Sequence, residues 1–133
     1  MSSTAVSPFR PNAPRMVGTW SLDLLSGTAW RDEAHDAAFG YREMTGTWTF
    51  ERFIAHVKQN HRDRIIETFN LAVRDGGPFA FVCPITQTDG SDRLIFVEGR
   101  AQATLPGRPP SLSGTVTPYE AAELSELLRE ASS

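Results

Sequence analysis

The 133-residue sequence holds a single cysteine, Cys83, and only three histidines, His35, His56 and His61. One cysteine excludes an intrachain disulfide, and three scattered histidines leave little material for a metal centre. There is no excess of positive charge: 13 Lys and Arg stand against 16 Asp and Glu, for a net charge of -3. The basic footprint expected of a nucleic-acid partner is therefore missing. No apolar run reaches membrane-spanning length. The opening Met-Ser-Ser-Thr-Ala-Val-Ser-Pro lacks the apolar centre of a signal peptide. These absences predict a cytoplasmic protein with neither nucleic-acid nor membrane partner. Nucleophile elbows, phosphate loops and metal-ligand spacings are absent too, so the sequence predicts no enzyme. What remains is an ordinary globular composition, 40% hydrophobic and 22% charged, enough for one domain with one core.

The strongest local pattern runs from Pro78 to Thr104. Two apolar arms flank Thr88-Asp89-Gly90-Ser91, and Asp-Gly marks a hairpin because glycine supplies positive φ at no steric cost. The first arm alternates Phe79, Phe81, Cys83 and Ile85 with Ala80, Val82, Pro84 and Thr86. The second carries Leu94, Ile95, Phe96 and Val97 unbroken, which predicts cover on both faces. Upstream, the prolines at 8, 11 and 14 predict a flexible arm over residues 1–15. Trp20, Leu22 and Leu24 alternate as a half-buried strand, and Thr28 to Arg31 gives a second. Asp36 to Tyr41 predicts a brief helix stopped by Gly40, and Thr49 caps another running through Val57. A longer helix spans Arg62 to Arg74, with Ile65, Ile66, Phe69, Ala72 and Val73 as its apolar stripe. Leu112 to Thr117 is the last strand. Thr117-Pro118-Tyr119-Glu120 then predicts a terminal amphipathic helix over 119–133, striped by Leu124, Leu127 and Leu128.

That order, with several local phrases, resembles a PAS domain of the bacterial type with a C-terminal PAC half. The phrases are Gly18-Thr19-Trp20-Ser21-Leu22-Asp23, Phe39-Gly40-Tyr41, Val57 with Arg62, Gly76-Gly77-Pro78-Phe79, Thr88-Asp89-Gly90-Ser91 with Arg93, and Gly114-Thr115-Val116-Thr117. The resemblance covers about Met16 to Thr117, placing the domain at 16–118. It implies an α+β fold: a five-stranded antiparallel sheet, order 2-1-5-4-3, with short helices on one face enclosing a small pocket. Pro84 would then sit on an edge strand, where a missing N–H is tolerated. The sequence departs from the family in having Pro84 and Leu94 on the hairpin and Pro118-Tyr119-Glu120 at the closing junction.

The resemblance implies a non-catalytic sensory or protein-interaction module in signal transduction with a signalling partner or effector and room for a small-molecule ligand, and the two-sided hairpin with the apolar stripe of the terminal helix predicts a homodimer. The residues expected to form the pocket or interface are Phe53, Ile65, Phe69, Phe79, Phe81, Leu94 and Phe96. Leu124, Leu127 and Leu128 are expected to form a helix interface. No cofactor is expected. The long helix carries no pocket-facing histidine for haem, and the short helices carry no cysteine for flavin. The three histidines and the acids Asp32, Glu33 and Asp36 around His35 are expected to be solvated or capping groups, and Cys83 a core hydrophobe. Trp20, Trp30 and Trp48 are candidates for a ligand wall, with core packing the simpler explanation. Two other readings remain open on these residues. One is a small cone-shaped enzyme of the ketosteroid-isomerase kind, which would need a shifted carboxylate or tyrosine in its cavity. The other is a purely structural dimerisation domain.

Overall fold

A computed structural model describes residues 16–102, 106–107, 110–119, 123 and 129. The elements follow in the order β1 (Gly18–Asp23), β2 (Thr28–Arg31), α1 (Glu33–Ala38), β3 (Trp48–Thr49), α2 (Phe50–His56), α3 (Arg62–Asp75), β4 (Pro78–Thr86), β5 (Asp92–Ala101) and β6 (Ser111–Tyr119). One antiparallel sheet carries all the strands in the order β3-β2-β1-β6-β5-β4. The predicted α+β class and the predicted neighbours hold, but the sheet has six strands rather than five. The addition is β3, whose two residues pair Trp48 with Ala29 and Thr49 with Thr28. Two residues cannot show a period, so nothing in the sequence separates them from the loop before α2.

The alternation of β4 survives intact. Phe81, Cys83 and Ile85 are buried beneath the helices, and Pro84 lies on the strand's outer side. β4 is an edge strand, so the missing N–H of Pro84 leaves no neighbour unpaired. β5 resolves its apolar run by facing both ways. Ile95 and Val97 enter the core, while Leu94 and Phe96 are half-buried on the opposite face. Outward from β5, Phe96 pairs with Val82 and Thr117, and Leu94 with Pro84 and Tyr119.

The expected helix start at Thr117 is a correction. β6 continues through Tyr119, with Pro118 opposite Ile95 and Tyr119 opposite Leu94. The partner strand β5 is long enough to extend the ladder, and pairing outweighs the local capping signature. On the other side β1 ends opposite Val116, so Pro118 lies where β5 alone flanks the strand. β6 thus ends one residue past the expected boundary at 118, and Glu123 and Arg129, the described residues beyond it, are helical. The arm expected at 1–15 and the stripe of Leu124, Leu127 and Leu128 lie outside the described residues.

Glycine makes the core face possible where aromatic rings meet the sheet. Gly114 pairs with both Trp20 and Gly99, and Gly99 with Phe79. A Cβ on Gly99 would come within 3.0 Å of the Trp20 ring and 2.9 Å of the Phe79 ring. The two glycines are the floor on which those rings lie. At the hairpin tip Gly90 has φ 88°, and its N–H donates to the Gln87 carbonyl at 2.9 Å. This is a tight turn closed by a left-handed glycine.

The tip also docks. Thr88 donates through its hydroxyl to the Gly40 carbonyl at 2.7 Å, and Arg93 to the carbonyls of Ala37 and Ala38 at the end of α1. Ala37 also accepts from the Gly40 N–H at 3.0 Å, so Arg93 adds a side-chain donor to a helix end that the chain has partly closed itself. Nothing lies near the position of a Gly90 Cβ. Gly90→Val should therefore cost about 1–2 kcal/mol through backbone strain alone. Urea denaturation checks this, and an unchanged midpoint would show that the turn accepts a branched residue.

Candidate functional site

The site is built from the corner between β2 and α1. Asp32 caps α1, accepting from the His35 N–H at 2.9 Å. The same carboxylate accepts from the Thr19 N–H at 3.1 Å and the Thr19 hydroxyl at 2.8 Å. Burial alone would raise the pKa of Asp32, but the His35 N–H and the Thr19 donors together hold it below the ordinary value. The cap thus ties the helix to β1. Gly18 completes the contact, because a Cβ there would collide with the backbone of His35 and Ala34.

Helix α1 was expected from Asp36 but begins at Glu33, one turn earlier. This moves His35, Ala38 and Phe39 onto one inward face. His35 is only 3% exposed and Asp36 only 1%, so the expectation of solvated groups is overturned at both. Neither is buried without a partner. Arg31, on the core face of β2, donates to Asp36 through Nε at 3.1 Å and Nη2 at 3.1 Å. His35 Nδ1 lies 2.8 Å from Asp36 Oδ1. A carboxylate held by a guanidinium has no proton to give, so Nδ1 carries the hydrogen and donates it. Nε2 is left with a lone pair.

His35 lines a cavity of about 40 Å³ together with Trp20, Leu22, Phe39, Trp48 and Val97 among others. Of the residues expected to form a pocket, Phe53 and Phe69 reach this wall. Ile65, Phe79 and Phe81 stay in the core around it, with Phe69 5.2 Å from Phe79 and 5.9 Å from Phe81 between ring centres. Leu94 and Phe96 belong to the other face of the sheet. Trp20 and Trp48 are core residues, as the simpler explanation has it, and they also border the cavity. Trp30 does not, since it pairs with Ser21 on the outer side and is 63% exposed.

Two further expectations can be placed. His56 lies between Tyr41 and β4: its Nδ1 donates to the Thr86 carbonyl at 2.7 Å and its Nε2 accepts from the Tyr41 hydroxyl at 2.8 Å. It is a tie between α2 and the sheet rather than a solvated group. Cys83 is fully buried, and burial pushes its thiol up to about 12, which fits a core hydrophobe and not a reactive sulfur. Among the described residues no group of three or more His, Cys, Asp and Glu is placed to hold a metal ion.

Burial holds the pKa of His35 below its ordinary 6.5, and the hydrogen bond and charge of Asp36 offset this only in part. The unfolded chain takes up this proton first. Stability assignable to His35 is therefore complete above the unfolded pKa, and falls as pH drops through 6.5 towards the folded value. Urea midpoints measured at stepped pH should decline through that window in the wild type. The decline should flatten in His35→Gln. Equal slopes in the two proteins would show that His35 does not carry the titration.

No protein-family model matches this sequence, and no curated protein matches it. Solved structures do match its fold. A sensory box histidine kinase/response regulator from Burkholderia thailandensis superimposes with a TM-score of 0.67 at 17% identity, covering 89% of this chain and 88% of that one. The N-terminal domain of a diguanylate cyclase with PAS/PAC sensor from Marinobacter aquaeolei gives 0.68 at 11% identity, covering 83% and 98%. An RNA-binding light-oxygen-voltage receptor gives 0.64 at 17% identity, covering 87% of this chain but 35% of its own. Shared topology at such low identity is a statement about architecture, and on that ground the chain has the fold of a PAS domain.

Proposed function

We propose that this domain is a non-catalytic sensory module of signal transduction, in which a small ligand in the core biases an interaction surface on the opposite face of the sheet. The observation that carries the reading is the alternation of β5 and β6. Val97 and Val116 line the cavity, and the next residues in chain, Phe96 and Thr117, pair with each other on the outer face. A shift in the cavity wall must therefore be felt one residue away on the other side. That the same fold serves as a sensor in the kinase and cyclase domains supports the assignment.

The isomerase-like alternative needs a carboxylate or tyrosine in the cavity. The buried carboxylate is Asp36, which faces Arg31 and His35 and is not on the cavity wall. We take the module to be cytoplasmic and its partner to be a signalling protein or effector. No helix among the described residues is long and apolar enough to cross a membrane.

The interaction surface is the outer sheet face at Val82, Pro84, Leu94 and Phe96, where Val82 is 41% exposed. We assign to it a homodimer contact. The wild type should be dimeric by light scattering at high micromolar concentration. Val82→Glu should yield a folded monomer, since one buried carboxylate per subunit is costly in an apolar contact. A monomeric wild type would remove the dimer from the reading.

The reading also takes the protein to hold no haem or flavin. The cavity volume, about 40 Å³, is suited to a few water-sized groups rather than a macrocycle or a tricyclic ring. The purified protein should show no Soret or flavin absorption, and a stoichiometric band of either kind would overturn this.

A further inference from the structure

We infer that the cavity selects a small, largely apolar ligand carrying one hydrogen-bond donor, an O–H or N–H, and that His35 Nε2 is the acceptor that reads it. The inference rests on the sensory reading above and names the chemistry that the cavity recognises. With Nδ1 committed to Asp36, Nε2 is the remaining polar atom of a side chain only 3% exposed. Nε2 has no hydrogen-bond partner among the described residues. Yet no fully enclosed side-chain nitrogen or oxygen among them is left unpartnered. Nε2 is therefore not sealed behind packing, and the cavity that His35 lines is the opening we assign to it.

The rest of the wall leaves this acceptor alone. Trp20 and Trp48 carry indole N–H groups, which donate and cannot accept. The Thr49 hydroxyl accepts from the Arg52 N–H at 3.0 Å as the cap of α2, so the lining side-chain acceptor without any bond is His35 Nε2. The remaining lining side chains are apolar: Leu22, Ala29, Phe39, Phe50, Phe53, Phe69, Val97 and Val116. The protonation state is fixed by the surroundings as well. Burial favours the neutral ring, and the Arg31–Asp36 pair sets which nitrogen holds the hydrogen. A neutral imidazole oriented this way by a carboxylate presents a lone pair and no donor.

Size narrows the class further. About 40 Å³ is room for two or three waters, and well under the ~150 Å³ of an apolar cavity known to take benzene. A ligand of a few heavy atoms fits as the side chains stand. A single five-membered ring requires the half-buried Phe50 at the wall to give way.

Pyrrole and furan make the test, because they share ring size and differ in that pyrrole has an N–H donor and furan none. Amide shifts in a two-dimensional NMR titration give both affinities, and the ¹⁵N shift of His35 Nε2 reports the hydrogen bond directly in the wild type. Pyrrole should bind about three- to tenfold more tightly than furan, the scale of one net hydrogen bond. Pyrrole alone should move the Nε2 resonance. In His35→Phe the preference should fall to about one. If both ligands bind equally, or if Nε2 does not move, the donor preference is wrong while ligand binding stands. If neither ring binds and methanol, which is small enough to enter as the side chains stand, also leaves the lining amides unmoved, the ligand-binding reading falls together with it. Should His35→Phe fail to fold, the pyrrole-to-furan ratio and the Nε2 shift in the wild type still decide the matter.

Discussion

Everything at the site depends on how closely α1 can approach β1. Gly18 permits the approach, since any side chain there would meet the backbone of His35. The Asp32 carboxylate holds it, bonding at once to the first turn of the helix and to Thr19. A six-residue helix has no stability of its own in water. The helix exists because the sheet satisfies its N-terminus and the hairpin satisfies its C-terminus, where Arg93 and Thr88 meet the last carbonyls. His35 is thus placed by groups from nearby β1 and from the β4–β5 hairpin, whose Arg93 is 56 residues from Ala37.

The second constraint is electrostatic. Asp36 and Arg31 are both largely withdrawn from water, and an unpaired charge there would cost several kcal/mol. Their pairing cancels that penalty, and it also orients the imidazole beside them. An Asp36→Ala change would leave Arg31 without its carboxylate and His35 free to hold its hydrogen on either nitrogen. The cluster is therefore structural in its energetics and directional in its consequence. It fixes which atom of His35 the cavity meets.

How much of this was legible in the sequence follows from the range of the interactions involved. β4 could be read because an edge strand with one face on the core alternates strictly, as Phe79 to Ile85 does. Helix α3 could be read because Ile65, Phe69 and Ala72 recur at helical spacing before Gly76 and Gly77. Asp89-Gly90 announced its own turn. β3 was not legible, for it is too short to carry a pattern. The continuation of β6 through Pro118 was not legible either, because the local signal favoured a helix and only the length of the neighbouring β5 ladder overrides it. His35 was missed through the start of α1. With Asp32 as the cap, His35, Ala38 and Phe39 fall on one face, with the histidine on its buried side. Even so, Arg31 as the partner of Asp36 needs the β2–α1 corner, which only the fold provides.

A polar atom facing an apolar cavity is also a statement about what the sequence tolerates. An acceptor that is desolvated without a bond costs on the order of 1–3 kcal/mol, a large fraction of the stability of a small domain. Phe39 and Trp48 already pack against the His35 ring, at 5.1 and 4.7 Å between centres, so an apolar side chain of similar size would suit the same shell. The fold does not need an imidazole there to pack. It does need Asp36 and Arg31 to make one bearable, and both are built around it. A buried carboxylate and a half-buried guanidinium that together meet a buried imidazole are difficult to derive from packing alone. They follow directly if the orientation of Nε2 is what the cavity requires.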